Sequence, residues 1–217
     1  MRLFFFAGLN LEQTEIELKK RWAVPYKWGR KQANIWDDKT NFTYQISYFE
    51  HLNDKIYSEL GTHAQFEELR NYALNRWYNF VSAQAVESIF TSHSLVRKVK
   101  NVKDREKDFF INGIPFDHKT TVFPAGFEKD LASVEINPKA LVKWLYLNQS
   151  SEQRYHLENR FFLVLHKKDE EHWRLKAELT WIKEMINHYL DHFDEQKLIE
   201  LTYSKGVVKA DLILGSR

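Results

Sequence analysis

Apolar residues recur at helical spacing through several long stretches and alternate at period two in shorter ones, so helices and strands are both expected. Trp77, Phe80, Val81, Ala85, Val86, Ile89 and Phe90 form a wide apolar stripe in a helical region read over 62–92. Ile182, Met185, Ile186, Tyr189, Leu190 and Phe193 do the same for a helix over 173–193. Shorter helices are expected over 12–22, over 48–60 with Gly61 as its stop, from about Pro138, and over 152–158. Arg160–His166 is a compact apolar run and reads as a buried strand. Further strands are expected at 3–6, 38–46, 96–102, 198–203 and 207–214. Residues 1–61 read as an elaboration placed before a core of 62–217.

The most specific local pattern is KDFFINGIPFDHKTT, residues 107–121. Asn112-Gly113 at its centre suits a two-residue type I′ turn, which needs positive φ at both positions. Counting outward opposes Ile111 to Ile114, Phe110 to Pro115, Phe109 to Phe116 and Asp108 to Asp117. Because side chains alternate across a strand, Asp108, Asp117 and Lys119 share one face, and Phe109, Ile111, Ile114 and Phe116 the other. With 96–102 in front, the pattern predicts a three-stranded antiparallel meander. Directly opposed residues have Cβ atoms roughly 4.5–5.5 Å apart, where like charges repel. A cation between the two aspartates relieves that cost, and a hard ion such as Mg²⁺ suits carboxylate oxygens. The plain alternative is a solvated hairpin face that carries charge.

Composition narrows the chemistry. The chain has 217 residues, 43% of them hydrophobic and 15% aromatic, with four prolines and seven glycines, so extensive disorder is not expected. The net charge of +2 does not by itself call for nucleic acid. Absence of cysteine excludes disulfides, zinc thiolates and a Cys nucleophile. His51, His63, His93 and His192 read as scattered, and no zinc site is expected. The apolar run at the N-terminus is too short for a signal peptide and nothing reaches membrane-span length, so a cytoplasmic protein is expected. Lys27, Arg30 and Lys31 interleave with Tyr26, Trp28 and Trp36, a combination able to meet phosphates and bases. A surface loop with its rings packed beneath is the competing reading.

A helix bearing Glu87, a strand, an Asp strand, an Asp-x-Lys strand, a helix, an apolar strand and a helix follow one another. This order resembles the core of the PD-(D/E)xK nuclease superfamily over roughly residues 62–193. Asp108 matches the first acidic position and Asp117-His118-Lys119 the (D/E)xK tripeptide, while Glu87 stands where many members carry a helix-borne Glu. Lys107 occupies the place of the eponymous proline, and the spacing between the aspartates is short. The resemblance implies an α/β (α+β) fold of restriction-endonuclease-like type, a mixed central sheet flanked by helices. It implies a Mg²⁺-dependent endonuclease, with Mn²⁺ as a substitute, acting on double-stranded DNA, and it admits a homodimer.

In that chemistry Asp108, Asp117 and the backbone carbonyl of His118 hold the ion, and Glu87 is an outer ligand. Lys119 positions the attacking water and offsets phosphate charge. The His118 side chain is assigned to the core face by strand parity, not to catalysis. Gln149 and Arg154 are candidate phosphate contacts. A catalytically inactive DNA-binding module of the same fold, or a structural or protein-interaction domain, are the alternatives.

Overall fold

The computed structural model describes residues 10–28, 35–99, 107–148, 158–204 and 206–217. Its helices are α1 (Leu11–Lys20), α2 (Ile35–Lys39), α3 (Phe49–Leu60), α4 (Phe66–Ser92), α5 (Leu131–Ile136), α6 (Pro138–Asn148) and α7 (Leu179–Asp191). Its strands are β1 (Val96–Lys98), β2 (Phe109–Ile111), β3 (Ile114–Val122), β4 (Arg160–His166), β5 (Ile199–Tyr203) and β6 (Gly206–Ser216). The chain divides into two compact units. One holds Glu87–Leu175 and Ile182–Arg217, and the other runs through Val86 and takes in Lys176–Trp181. Gly61 caps α3 as expected, whereas the division between units falls inside α4.

The unit with the strands is a mixed six-stranded sheet flanked by helices, in the order β1-β2-β3-β4-β6-β5. β1, β2 and β3 form the expected antiparallel meander. α5 and α6 then carry the chain to β4, which runs parallel to β3, and β6 runs parallel to β4 on its other side. β5 closes the edge antiparallel to β6. β4 is buried almost throughout, as its unbroken apolar sequence requires for a central parallel strand.

Alternation divides the sheet into two faces. Phe162, Val164 and Ala210 pack with Leu141, Val142 and Leu145 of α6 on one. On the other, Phe161 lies against Phe90, Phe116 and Tyr189 at ring distances of 5.3, 5.9 and 5.0 Å. The C-terminal turns of α4 and of α7 thus cover the face opposite α6.

In the other unit, the strand expected at 38–46 is absent: α2 and a 3-10 turn over Asn41–Gln45 occupy it. Buried Arg76 explains the difference. Its guanidinium donates to the Asp37 carbonyl at 2.5 Å, Thr40 Oγ1 at 2.6 Å, Asn41 Oδ1 at 3.1 Å and the Tyr44 hydroxyl at 2.7 Å. An extended strand cannot curl four successive acceptors around one side chain.

The helix expected over 173–193 is also broken, into a 3-10 segment His172–Ala177 and α7. At the break, Glu178 is drawn to Lys19 at 3.0 Å, and the Thr180 N–H donates to Glu15 at 2.7 Å. A carboxylate from a distant helix therefore serves as the cap of α7, a role local sequence cannot display. The six-residue α5 was not anticipated; Asp130 caps it by accepting from the Ser133 N–H at 2.9 Å. The strand read at 3–6 lies outside the described residues, as does nearly all of the helix read over 152–158.

Asn112 and Gly113 have φ of 47° and 83°, the signature of the type I′ turn. No atom lies within 4 Å of a Cβ built on Gly113, so only backbone conformation resists substitution there. Gly113→Ala is therefore expected to cost about 1–2 kcal/mol. Urea denaturation should show a lower midpoint with an unchanged slope; an unchanged midpoint would contradict the conformational account.

Candidate active site

The pairs Ile111 with Ile114, Phe110 with Pro115 and Phe109 with Phe116 match the count outward from the turn. Pro115 is accommodated because the 110–115 pair is the non-hydrogen-bonded one, so its missing N–H breaks no ladder bond. At Asp108 the pattern changes. Its N–H donates to the Phe116 carbonyl at 2.9 Å, while its own carbonyl accepts from the Val99 N–H at 3.4 Å. This bulge-like bend aims the carboxylate along β3, where it accepts the His118 N–H at 2.8 Å. Asp108 and Asp117 are therefore neighbours through a bend, and the regular ladder ends one pair before them.

Both aspartates are buried, with 8% and 6% of their surface exposed. Burial is the largest influence on the Asp117 carboxyl and pushes its pKa up; Lys119 and Arg160 pull it down, and Asp108 pushes it further up. Lys119 Nζ donates to Asp117 Oδ1 at 2.8 Å. Arg160 Nε lies 3.5 Å from Asp117 Oδ2. Two carboxylates and two cations thus balance in charge, which offsets the cost of burying them.

Arg160 is the residue the sequence pattern undervalued. It opens β4, directly beside Asp117 in the parallel register, and is only 6% exposed. Its guanidinium lies 5.0 Å over the Tyr146 ring, and the Tyr146 hydroxyl donates to the Glu158 carbonyl at 2.9 Å. A charge at the head of an otherwise apolar strand was the available signal. It acquires meaning only once β4 is known to pair with β3.

His118 lies on the other face, as parity predicts. Its ring sits 4.9 Å from Phe90 and 5.8 Å from Phe109, with Nε2 2.9 Å from Thr120 Oγ1. Its backbone serves the site instead. The N–H points to Asp108, and in an extended strand the carbonyl of the same residue faces the same edge.

Glu87 is not brought to the aspartates. Its carboxylate is 3.4 Å from Lys98, which pairs with Phe109 on the His118 face of the sheet. Among the described residues no group of three His, Asp or Glu side chains is arranged to hold a metal ion. Carboxylate and carbonyl oxygens such as those of Asp108, Asp117 and His118 are hard donors, the class that Mg²⁺ takes.

Lys27 is exposed and belongs to the other unit, where Tyr26 and Trp28 pack edge to face 6.2 Å apart. Arg30, Lys31, Gln149 and Arg154 lie outside the described residues. The reading of scattered histidines fails at one place: His188 and His192 stand four residues apart at the end of α7. No helix among the described residues is long and apolar enough to cross a membrane.

No family model, curated protein or solved structure matches the chain.

Burial holds the His118 pKa down, from 6.5 to about 4. The unfolded chain then binds the extra proton between these values, so stability is full above about 6.5 and drains away as pH falls toward 4. His118→Phe should flatten this part of the stability profile. Equal acid sensitivity of the two proteins in denaturant titrations from pH 7 to 4 would refute the assignment.

Proposed function

We propose that the sheet-bearing unit is a metal-dependent nuclease of PD-(D/E)xK type, hydrolysing phosphodiester bonds of double-stranded DNA in the cytoplasm. The observation that carries this reading is the grouping of Asp117 and Lys119 on one face of β3, the Lys119 ammonium 2.8 Å from Asp117, with the Asp108 carboxylate on the N–H of the intervening His118. The order of elements supports it as well. A helix that ends beyond Glu87, a three-stranded meander, further helices, the apolar β4 and α7 follow one another, an order compatible with the superfamily resemblance.

In this reading Asp108 and Asp117, with the His118 carbonyl, would hold a Mg²⁺ ion. When bound, the ion supplies Lewis acidity to the phosphoryl oxygens and makes its bound water more acidic. Lys119 lies next to the same carboxylate, where its ammonium orients the attacking water and offsets negative charge on the phosphate. Arg160 balances Asp117 from the buried side, keeping the carboxylate in place without reaching into solvent. Glu87, engaged with Lys98, is left out of the machinery.

A second reading has an observation of its own. Lys119 and Arg160 already flank the Asp117 carboxylate, and Asp108 accepts the His118 N–H, as a site without turnover would require. Such a protein would bind DNA in a salt-dependent way and cleave nothing.

Plasmid nicking in Mg²⁺ or Mn²⁺ separates the two. The wild-type chain should convert supercoiled DNA, Asp117→Asn should abolish conversion, and Lys119→Ala should slow it by about 100-fold or more. Circular dichroism must show both variants folded. Conversion that persists in both folded variants, or that never occurs with wild type, would sink the nuclease assignment.

A further inference from the structure

His188 and His192 lie in the sequence His-Tyr-Leu-Asp-His. Residues four apart on a helix are surface neighbours, and α7 ends at Asp191 with the His192 N–H still bonded to the Tyr189 carbonyl at 3.2 Å. Both side chains are exposed. Their ring centroids are 4.6 Å apart with planes inclined at 43°.

A hydrogen bond settles which ring nitrogen of His192 is available. Nδ1 is 2.8 Å from the His188 carbonyl oxygen. A carbonyl can only accept, so Nδ1 carries the hydrogen and Nε2 keeps its lone pair. Metal-binding histidines are commonly oriented in this way, one nitrogen donating to a carbonyl and the other facing the metal. The adjacent carboxylate of Asp191 is directed elsewhere, with Oδ1 3.1 Å from His93 Nε2.

We infer that His188 and His192 chelate one divalent transition cation of the zinc class on the surface of α7. The proposal is independent of the aspartate site. Imidazole pairs favour zinc, nickel and copper, whereas carboxylate and carbonyl oxygens favour magnesium. With two protein ligands, the remaining coordination positions face solvent and are filled by water. Bridging residues 188 and 192 ties the last turn of α7 to the segment that leaves it. Binding to the folded chain in preference to the unfolded one raises the melting temperature.

Zinc chloride titrated into the untagged full-length chain, followed by calorimetry and by thermal melting, tests this. Wild type should take up an equivalent of Zn²⁺ with a rise in melting temperature. His188→Ala and His192→Ala, each shown folded by circular dichroism, should lose both the uptake and the rise. His93→Ala should keep both. Absence of uptake by wild type, its survival in both His188 and His192 variants, or its loss in His93→Ala would overturn the assignment.

Discussion

Positive φ at Asn112 and Gly113 decides which residues of the hairpin can meet, because strand side chains alternate with a period of two. A slip of one residue would send Phe109 and Phe116 to the opposite face and separate the two aspartates. With the turn in place, Phe109 stacks on Phe90 at 4.8 Å and the hairpin is pinned to α4 from one side. The other side carries Phe110 and Pro115 together with Asp117 and Lys119. The parallel pairing of β3 with β4 then brings Arg160 beside Asp117.

Burying two carboxylates is costly unless charge and hydrogen bonds compensate for lost water. Asp108 meets this with the His118 N–H, a donor released by the bend at the end of β2. Asp117 meets it with Lys119 and Arg160, and its pKa is still raised by burial. In the proposed function an ion held by these carboxylates would share in neutralising them, and Lys119 would then be available to a phosphate. The same features serve folding and the proposed chemistry.

Long-range pairing had its largest effect in the other unit. Alternation in 38–46 was a fair sign of a strand, yet Arg76 gathers Asp37, Thr40, Asn41 and Tyr44 around one guanidinium and imposes helical turns. Leaving that buried charge without acceptors would cost far more than the weak propensity of nine residues can supply. Glu15 likewise starts α7 from a position far away in sequence. In both places a side chain satisfies groups that local pattern could not know were unsatisfied.

What the sequence determined by itself was local and periodic. The hairpin register, the meander, the buried β4, the long α4 and the placement of His118 away from the aspartates all follow from turn chemistry and apolar spacing. Tertiary structure alone decided what depends on which elements become neighbours. It added Arg160 to the site, left Glu87 with Lys98 on the other face, and bent Asp108 out of direct opposition to Asp117. The reason is physical: a backbone turn is selected by its own residues, whereas the partner of a buried charge is selected by whatever the fold packs against it.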